Sequence, residues 1–585
     1  MVVVPEACGI VEAQTFLHNP RMSRRHVRPV SAAALEAIRS LVGGAPRRDL
    51  LVEYLHRIQD AKGCIDADHL AALARLMQLA RAEVFEVATF YHHFDVVRAG
   101  EAPPPPLTVR VCDSLACALA GAEALLADIR QSLGDGVRVQ RVPCVGRCEC
   151  APVAVVGQNP IEEADVHAVK WAIEAGATEA PLPEGARRLA DYRVAAGYRL
   201  FDDCLAGRRT AEEIIAALER AGLRGLGGAG FPAGRKWRVV RSQPAPRLMA
   251  VNIDEGEPGT FKDRWYLERE PHRFFEGMLV AAWAVGIDKI YIYLRDEYAG
   301  LRALLGEELE ALRSAYPGLP PIELRRGAGA YVCGEESAMI ESIEGKRGQP
   351  RLRPPYVAEA GLFGRPTLVH NMETLYRVRE IVERGADWFA AQGRHGRKGL
   401  RSFSVSGRVA KPGVHLAPAG ITLRELIDEF CGGMLPGHEL YAYFPGGASG
   451  GILPARLADL PLDFDTLQEH GCFIGAAAII VLSQHDSARA MAVNAMRFFA
   501  HESCGRCTPC RVGTRKAAEL MARETWDTGL LKELAQTMQD ASICGLGQAA
   551  PNPLLSVLRF FPEELKTASN AEDAETQRAQ REDRT

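Results

Sequence analysis

The sequence predicts an α/β multidomain protein, and three observations carry that expectation. At 585 residues the chain is too long for one hydrophobic core and must divide into several. Helical and strand periods alternate through its middle, as they do in a sheet covered by helices. Proline- and glycine-rich breaks separate stretches of different period. With 47% hydrophobic and 25% charged residues the composition is that of an ordinary globular protein. Lys+Arg of 70 against Asp+Glu of 74, a formal −4, predicts no surface for nucleic acid and none for an anionic membrane.

Residues 1–102 read as an N-terminal helical bundle. LLVEYLHRIQ and HLAALARLMQLA place apolar residues three and four apart, with Asp68 as the expected N-cap of the second helix. No basic recognition face follows them, so a DNA-reading helix-turn-helix is set aside. The opening MVVVPEACGIVEAQ lacks the charged start, long apolar region and cleavage site of a signal peptide, and a cytoplasmic location is expected. Pro103–Pro106 then break all regular structure. Over 107–180, LTVRVCDS and VRVQRVPC alternate like strands around the helical ALAGAEALLADIRQSL, and APVAVVGQ is a further short strand. Residues 181–205 have no strong period and read as a linker.

Over 206–400 the pattern runs helix AEEIIAALERAG, glycine loop, strand RLMAVNID, helix FFEGMLVAAWAVG, strand KIYIYLR, helix LRALLGEELEALRSA. Strands separated by helices of this length imply crossover units and a largely parallel sheet. Residues 401–490 have short apolar runs with many Gly and Pro, expected as a small β-rich or α+β domain. The longest apolar run of the chain, Gly471 to Leu482, lies here and is too short to span a bilayer. Residues 491–565 turn helical, and 566–585 have almost no large apolar side chains and read as a disordered tail.

Fifteen cysteines are many for a reducing compartment, and their placement gives them meaning. Cys8, Cys64, Cys150, Cys204, Cys333, Cys431 and Cys472 are scattered, and the other eight form two compact sets. Cys112-x4-Cys117 with Cys144-x3-Cys148 can hold a [2Fe–2S] cluster, each iron taking two thiolates. The same spacing also suits zinc, and Cys150 is a rival ligand. In the second set Cys504, Cys507 and Cys510 follow C-x2-C-x2-C and Cys544 lies downstream. That arrangement reaches the four irons of a [4Fe–4S] cube, whereas zinc normally uses two separated pairs. Gly505, Gly513 and Gly545 would leave room for backbone N–H groups to approach the sulfurs.

The densest glycine loop runs from Gly222 to Trp237. Gly225, Gly227 and Gly230 formally satisfy G-x-G-x-x-G, but the loop follows a helix where the dinucleotide fingerprint follows a strand, and no Walker lysine ends it. Two readings stay open: a flexible loop, or a backbone wrapped round a flat cofactor with Arg235 and Lys236 for phosphate. The strand RLMAVNID ends in Asn252, Asp254, Glu255 and Glu257, carboxylates suited to ribose or ribityl hydroxyls. A second such loop, Gly327 to Glu336, follows the strand IELRR. Ligands of open α/β sheets bind at strand ends of this kind.

GLRGLGGAGFPAGRKW, NIDEGEP, GAGAYVCGEE, RPTLVHNMETL and SCGRCTPCRVGT with ICGLG resemble the flavin-bearing, NADH-oxidising subunit of respiratory complex I. The diaphorase subunits of NAD-reducing hydrogenases and of NAD-dependent formate dehydrogenases have the same set. CDSLAC with CVGRC resembles the complex I subunit that has a thioredoxin-like [2Fe–2S] domain, and the preceding helices resemble its N-terminal bundle. The resemblance covers residues from about 35 to 560. Both subunits in one chain argue against ordinary complex I. RRDLLVEYLHRIQDAKGCIDADHLAALA and VFEVATFYHHFDVV look most like the beta subunit of a soluble formate dehydrogenase. The alternatives are a hydrogenase diaphorase and the NADH-oxidising module of complex I.

The resemblance implies a thioredoxin-like domain at 107–180, a Rossmann-like FMN/NAD(H) domain at 206–400, a ubiquitin-like (SLBB) domain at 401–490 and a helical [4Fe–4S] domain at 491–565. It implies FMN, NAD(H), one [2Fe–2S] and one [4Fe–4S] cluster, with the eight cysteines named above as ligands. Gly225, Gly227, Gly228, Lys236, Asn252, Asp254, Glu255, Gly334, Glu335 and Asn371 would line FMN. Phe231 and Tyr356 would stack on adenine, and Glu257, Tyr331, Glu336 and Arg353 would hold the rest of NAD(H). Glu255 and Glu257 are the catalytic candidates. One departure is His370, where the family usually has Asn before Asn371, so no flavin contact is carried over to it. Cys333 needs no role beyond that of a small buried residue. The implied partner is a catalytic alpha subunit, a molybdenum- or tungsten-pterin formate dehydrogenase with its own clusters. Neither nucleic acid nor direct membrane insertion is expected.

Overall fold

A computed structural model of the protein describes residues 30–134 and 136–565. The expected tail at 566–585, Cys8 and the first part of the N-terminal region lie outside the described residues. Four helices, Ala32–Val42, Leu51–Lys62, Ala67–Leu76 and Arg81–Ala88, form the N-terminal bundle, closed by a short parallel ribbon of Ile65–Asp66 on Val96–Val97. The cap of the third helix is Asp66 rather than Asp68: its backbone is extended and its carboxylate takes the N–H groups of Asp68 and His69. Asp68 is already inside the first turn, where its side chain has no free N–H ahead of it to cap.

The second unit is a four-stranded sheet in the order Val137–Val142, Leu107–Cys112, Ala154–Val156, Asn159–Ile161. Its first pair is parallel and the other two are antiparallel. The helices Ala122–Ser132 and Val166–Glu174 cover it around a core of its own that includes Val109, Val111, Leu126, Ile129 and Val169. Residues 181–205, expected as a linker, hold two short helices, Leu189–Val194 and Arg199–Leu205. Their buried tyrosines dock them: Tyr192 donates to Glu276 at 2.7 Å and Tyr198 bonds His272 at 2.7 Å. Short helices of this kind gain their order from tertiary contacts, which periodicity does not show.

The flavin-type domain is a parallel sheet in the order Thr367–Asn371, Leu248–Ile253, Lys289–Leu294, Ile322–Arg326. The long helices Pro271–Val285 and Ala299–Ala315 make the crossovers. Next comes a mixed five-stranded sheet, ordered Gly413–Pro418, Leu400–Gly407, Ala478–Ser483, Leu440–Phe444, Leu453–Pro454, with the helix Leu423–Glu429. The long apolar run ends in its central strand Ala478–Ser483, buried at all six positions. Five helices from Ala488–Glu502 to Asn552–Phe560 finish the described chain. Among the described residues no helix is long and apolar enough to cross a membrane.

Candidate functional site

Three loops meet at the carboxyl edge of the parallel sheet. The glycine loop enters the helix Ala233–Arg241, residues 252–257 leave the strand Leu248–Ile253, and residues 327–336 leave the strand Ile322–Arg326. Gly227 is required by the close approach of the first loop to the strand end: a Cβ there would lie 2.8 Å from the Cβ of Asn371. Asn252 ties the other two loops, its Nδ2 donating to the Gly334 carbonyl at 2.8 Å. Beneath them Lys262 pairs with Asp263 at 2.7 Å and Glu373 at 3.2 Å, and Asn371 donates to Asp263 at 2.6 Å. Reasoning from the sequence misses this floor, although the string FKDRW soon after the acidic strand end is a signal for it.

Among the expected binding residues Asn252, Glu335 and Asn371 are engaged within the protein, whereas Lys236 and Asp254 keep polar atoms to spare. Lys236 has its ammonium on the Val369 carbonyl at 3.1 Å, and burial pulls its pKa down, as for a cation waiting for an anion such as phosphate. The Oδ2 of Asp254 is buried with no hydrogen-bond partner, and burial pushes that carboxyl well above the ordinary range. Phe231 and Tyr356 stand 41% and 55% exposed beside these loops, unusual for large aromatics and suited to stacking on a base. Arg353 pairs with Glu335 and with Glu336 at 3.0 Å.

Both catalytic candidates have each carboxylate oxygen engaged within the protein. Glu255 is buried, and its carboxylate accepts the N–H groups of Asp263 at 2.8 Å and Arg264 at 3.2 Å and the Tyr298 hydroxyl at 2.9 Å. It fastens the strand-end loop to the next helix. Glu257 accepts the Ser449 N–H at 2.7 Å and the Tyr331 hydroxyl, so it links the flavin-type domain to the five-stranded one. His370 lies behind the site: buried, it accepts the Trp237 indole N–H at 2.7 Å and stays neutral, burial holding it well below its ordinary pKa. Cys333 is fully buried.

The first cysteine set converges. The free thiol of Cys112 is within hydrogen-bonding reach of Cys117 and Cys144, and the sulfurs of Cys144 and Cys148 are 3.3 Å apart. Hydrogen bonds from neighbouring thiols push Cys112 and Cys148 well above the usual thiol range and hold Cys144 well below it. Four sulfurs this close can all ionise only around a cation. Burial and the carboxylates of Glu149 and Glu162 raise the Cys150 thiol to about 12. The set is held against the flavin-type domain by Arg295, which donates to the Cys144 carbonyl at 2.7 Å and to that of Glu255. Gly146 makes this contact possible, since a Cβ there would lie 2.2 Å from the Tyr298 hydroxyl oxygen.

The second set also converges: the charges of Cys504, Cys507 and Cys544 all act on Cys510, which burial raises to about 12. Backbone N–H groups of Arg506 serve Cys504, and those of Leu546 and Gly547 serve Cys544. Gly505 takes the left-handed backbone of that turn, whereas Gly513 lets two helices close on Met538, a Cβ there lying 2.7 Å from the methionine Cγ. A Cβ at Gly545 would meet nothing within 4 Å. The loop 327–336 touches this set: the charge of Glu335 acts on Cys544, and Glu502, two residues before Cys504, accepts the Tyr331 N–H at 2.9 Å.

Gly227→Ala is expected to weaken FMN retention about tenfold to hundredfold, because overpacking at a backbone contact costs roughly 1–3 kcal/mol. Flavin content after dialysis reads it; full retention would show that the glycine loop can yield.

The comparisons with known proteins agree with this geometry. Residues 218–380 match the Nuo51 FMN-binding domain and residues 490–568 the NADH-ubiquinone oxidoreductase-F iron-sulfur binding region. Residues 38–176 match the thioredoxin-like [2Fe-2S] ferredoxin family and residues 402–453 the SLBB domain. Both cysteine sets thus fall in iron–sulfur families, against the zinc alternative. The mitochondrial NADH-ubiquinone oxidoreductase 51 kDa subunit of Neurospora crassa is 42% identical over 376 residues, 60% of this chain and 76% of that protein. The mitochondrial NADH dehydrogenase [ubiquinone] flavoprotein 1 of Dictyostelium discoideum is 39% identical over 373 residues, 60% of this chain and 78% of that protein. A chain of the NAD+-reducing [NiFe]-hydrogenase in the air-oxidized state superposes with TM-score 0.78 at 34% identity, covering 89% of this chain and 93% of its own.

Proposed function

Because the chain belongs to the family of flavin-bearing, NADH-oxidising subunits that occurs in complex I and in NAD-reducing hydrogenases, we propose that it passes electrons between NAD(H) and a partner protein. One observation carries this most directly: the loops at the sheet edge are joined to both cysteine sets, by Arg295 on one side and by the Tyr331–Glu502 contact on the other. FMN, when bound, supplies the conversion between two-electron hydride and one-electron chemistry. Gly225, Gly227, Gly228, Lys236, Asn252, Asp254, Gly334, Glu335 and Asn371 hold it, and Glu255 positions the loop on which it rests. Phe231 and Tyr356 take the adenine. Glu257, Tyr331, Glu336 and Arg353 take the nicotinamide, ribose and phosphate portions. Cys112, Cys117, Cys144 and Cys148 hold the [2Fe–2S] cluster, and Cys504, Cys507, Cys510 and Cys544 the [4Fe–4S] cluster.

The finer reading is the beta subunit of a soluble NAD-dependent formate dehydrogenase, supported by the N-terminal stretches 47–74 and 84–97. A second reading, the diaphorase of a hydrogenase, is favoured by the near end-to-end likeness to the hydrogenase chain. Metal analysis of the co-purified complex separates them: molybdenum or tungsten supports the first, nickel the second.

The flavin-loaded chain is expected to reduce artificial dyes with NADH, and a loaded but inactive chain would sink the proposal. Glu257→Gln keeps the shape of that side chain and removes its charge. A hydrogen bond to a charged group contributes roughly 1.5–3 kcal/mol, so NADH affinity falls by about one to two powers of ten. Flavin content stays unchanged, and kcat/KM drops more than kcat, the sign of lost uniform binding. Flavin loss, or normal NADH binding, would remove Glu257 from this role.

A further inference from the structure

We propose that His92, His501 and Glu502 form a divalent-metal site suited to zinc, where the N-terminal bundle meets the helix that leads into the second cysteine set. Each residue offers one ligand atom, and these atoms lie within 4.8 Å of one another. The Nδ1 of His92 is 3.9 Å and the Nε2 of His501 4.0 Å from the Oε1 of Glu502. Those separations are too long for hydrogen bonds. They are close to the spacing a metal sets: tetrahedral ligands 2.0–2.1 Å from zinc stand about 3.3 Å apart. Closing the site therefore needs less than about an ångström of movement on the two glutamate contacts, and the stacked imidazoles, 15° from parallel, must tilt so that both lone pairs meet one ion.

The surroundings favour a metal over a bare cluster of polar groups. An unprotonated imidazole has a lone pair to give a metal. Glu502 is 5% exposed, and its Oε2 is engaged by the Tyr331 N–H, which fixes Oε1 toward the histidines. The histidines are 39% and 46% exposed, and all three residues line a cavity of about 700 Å3 through which an ion and a fourth ligand, water, can enter. Two neutral imidazoles and a carboxylate with an open fourth position are a donor set that zinc accepts. An ion there ties the loop carrying His92 to the helix Ala488–Glu502 and, through Glu502, to Tyr331. This site does not rest on the proposed NADH chemistry.

The test uses chelator-washed full-length holoprotein with both cluster sites loaded with iron, equilibrated with zinc chloride and assayed by elemental analysis. One zinc per chain is expected to bind saturably, at least about tenfold more weakly in His92→Ala and in His501→Ala, with iron and flavin contents unchanged. X-ray absorption at the zinc edge is expected to show nitrogen and oxygen ligands only. Should His501→Ala lose iron because it adjoins the cysteine set, His92→Ala, from the other side of the contact, decides alone. Absence of saturable zinc binding, equal binding in native protein and the deciding variant, or zinc–sulfur distances would each overturn the proposal.

Discussion

Cys507→Ser is expected to abolish the [4Fe–4S] signal in EPR of the reduced protein while leaving the [2Fe–2S] signal intact, and Cys117→Ser to do the reverse. Serine keeps the size of the side chain but its hydroxyl stays protonated where the thiol ionises, so one corner of each cluster is lost. Iron should fall by about four atoms per chain in the first variant and two in the second. The two effects separate because the ligands belong to different cores: Cys117 lies in the short helix Leu115–Leu119 beside the four-stranded sheet, whereas Cys507 stands at the start of the helix Thr508–Met521 in the helical C-terminal region. Dye reduction by NADH should persist in Cys507→Ser, since the flavin loops are untouched, while transfer to a partner protein stops. Loss of both signals in either variant would mean that the two sites do not fold independently.

Arg295→Ala is expected to destabilise the protein by about 3–5 kcal/mol, the cost of leaving a buried charge without its partner. Arg295 is buried, pairs with Glu297 at 2.6 Å, and bridges the carbonyls of Cys144 and Glu255. Burial alone pushes Glu297 up; the guanidinium beside it holds that carboxylate below its ordinary pKa. Without the guanidinium, Glu297 loses the cation that holds its charge. Denaturant unfolding measures the loss, and the [2Fe–2S] signal should decay first, because the thioredoxin-like unit keeps only its other ties to the flavin-type domain, such as Arg264 on the Gly146 carbonyl and Glu149. Arg295→Lys keeps the charge but not the planar fork, so it should recover part of the loss and no more. A cost below about 1 kcal/mol in Arg295→Ala would show that the bridge is dispensable.

The amino-acid sequence by itself determined whatever depends on local spacing. The three-residue intervals of Cys504, Cys507 and Cys510, the crossover pattern of 206–400 and the acidic end of RLMAVNID were legible without coordinates, because ligand spacing and periodicity are properties of neighbours in the chain. The glycine loop was ambiguous in sequence. Only the 2.8 Å approach of Gly227 to Asn371, more than a hundred residues away, gives its glycine a required place. Tertiary structure alone decided the long-range pairings: Lys262 with Glu373, Arg295 between Cys144 and Glu255, and Tyr331 between Glu257 and Glu502. It also turned a period-free stretch at 181–205 into docked helices through Tyr192 and Tyr198, and committed His370 to Trp237. These pairings join residues far apart in the chain, and a buried polar group takes whichever partner the packed core brings within about 3 Å. Spacing along the chain has no record of that distance.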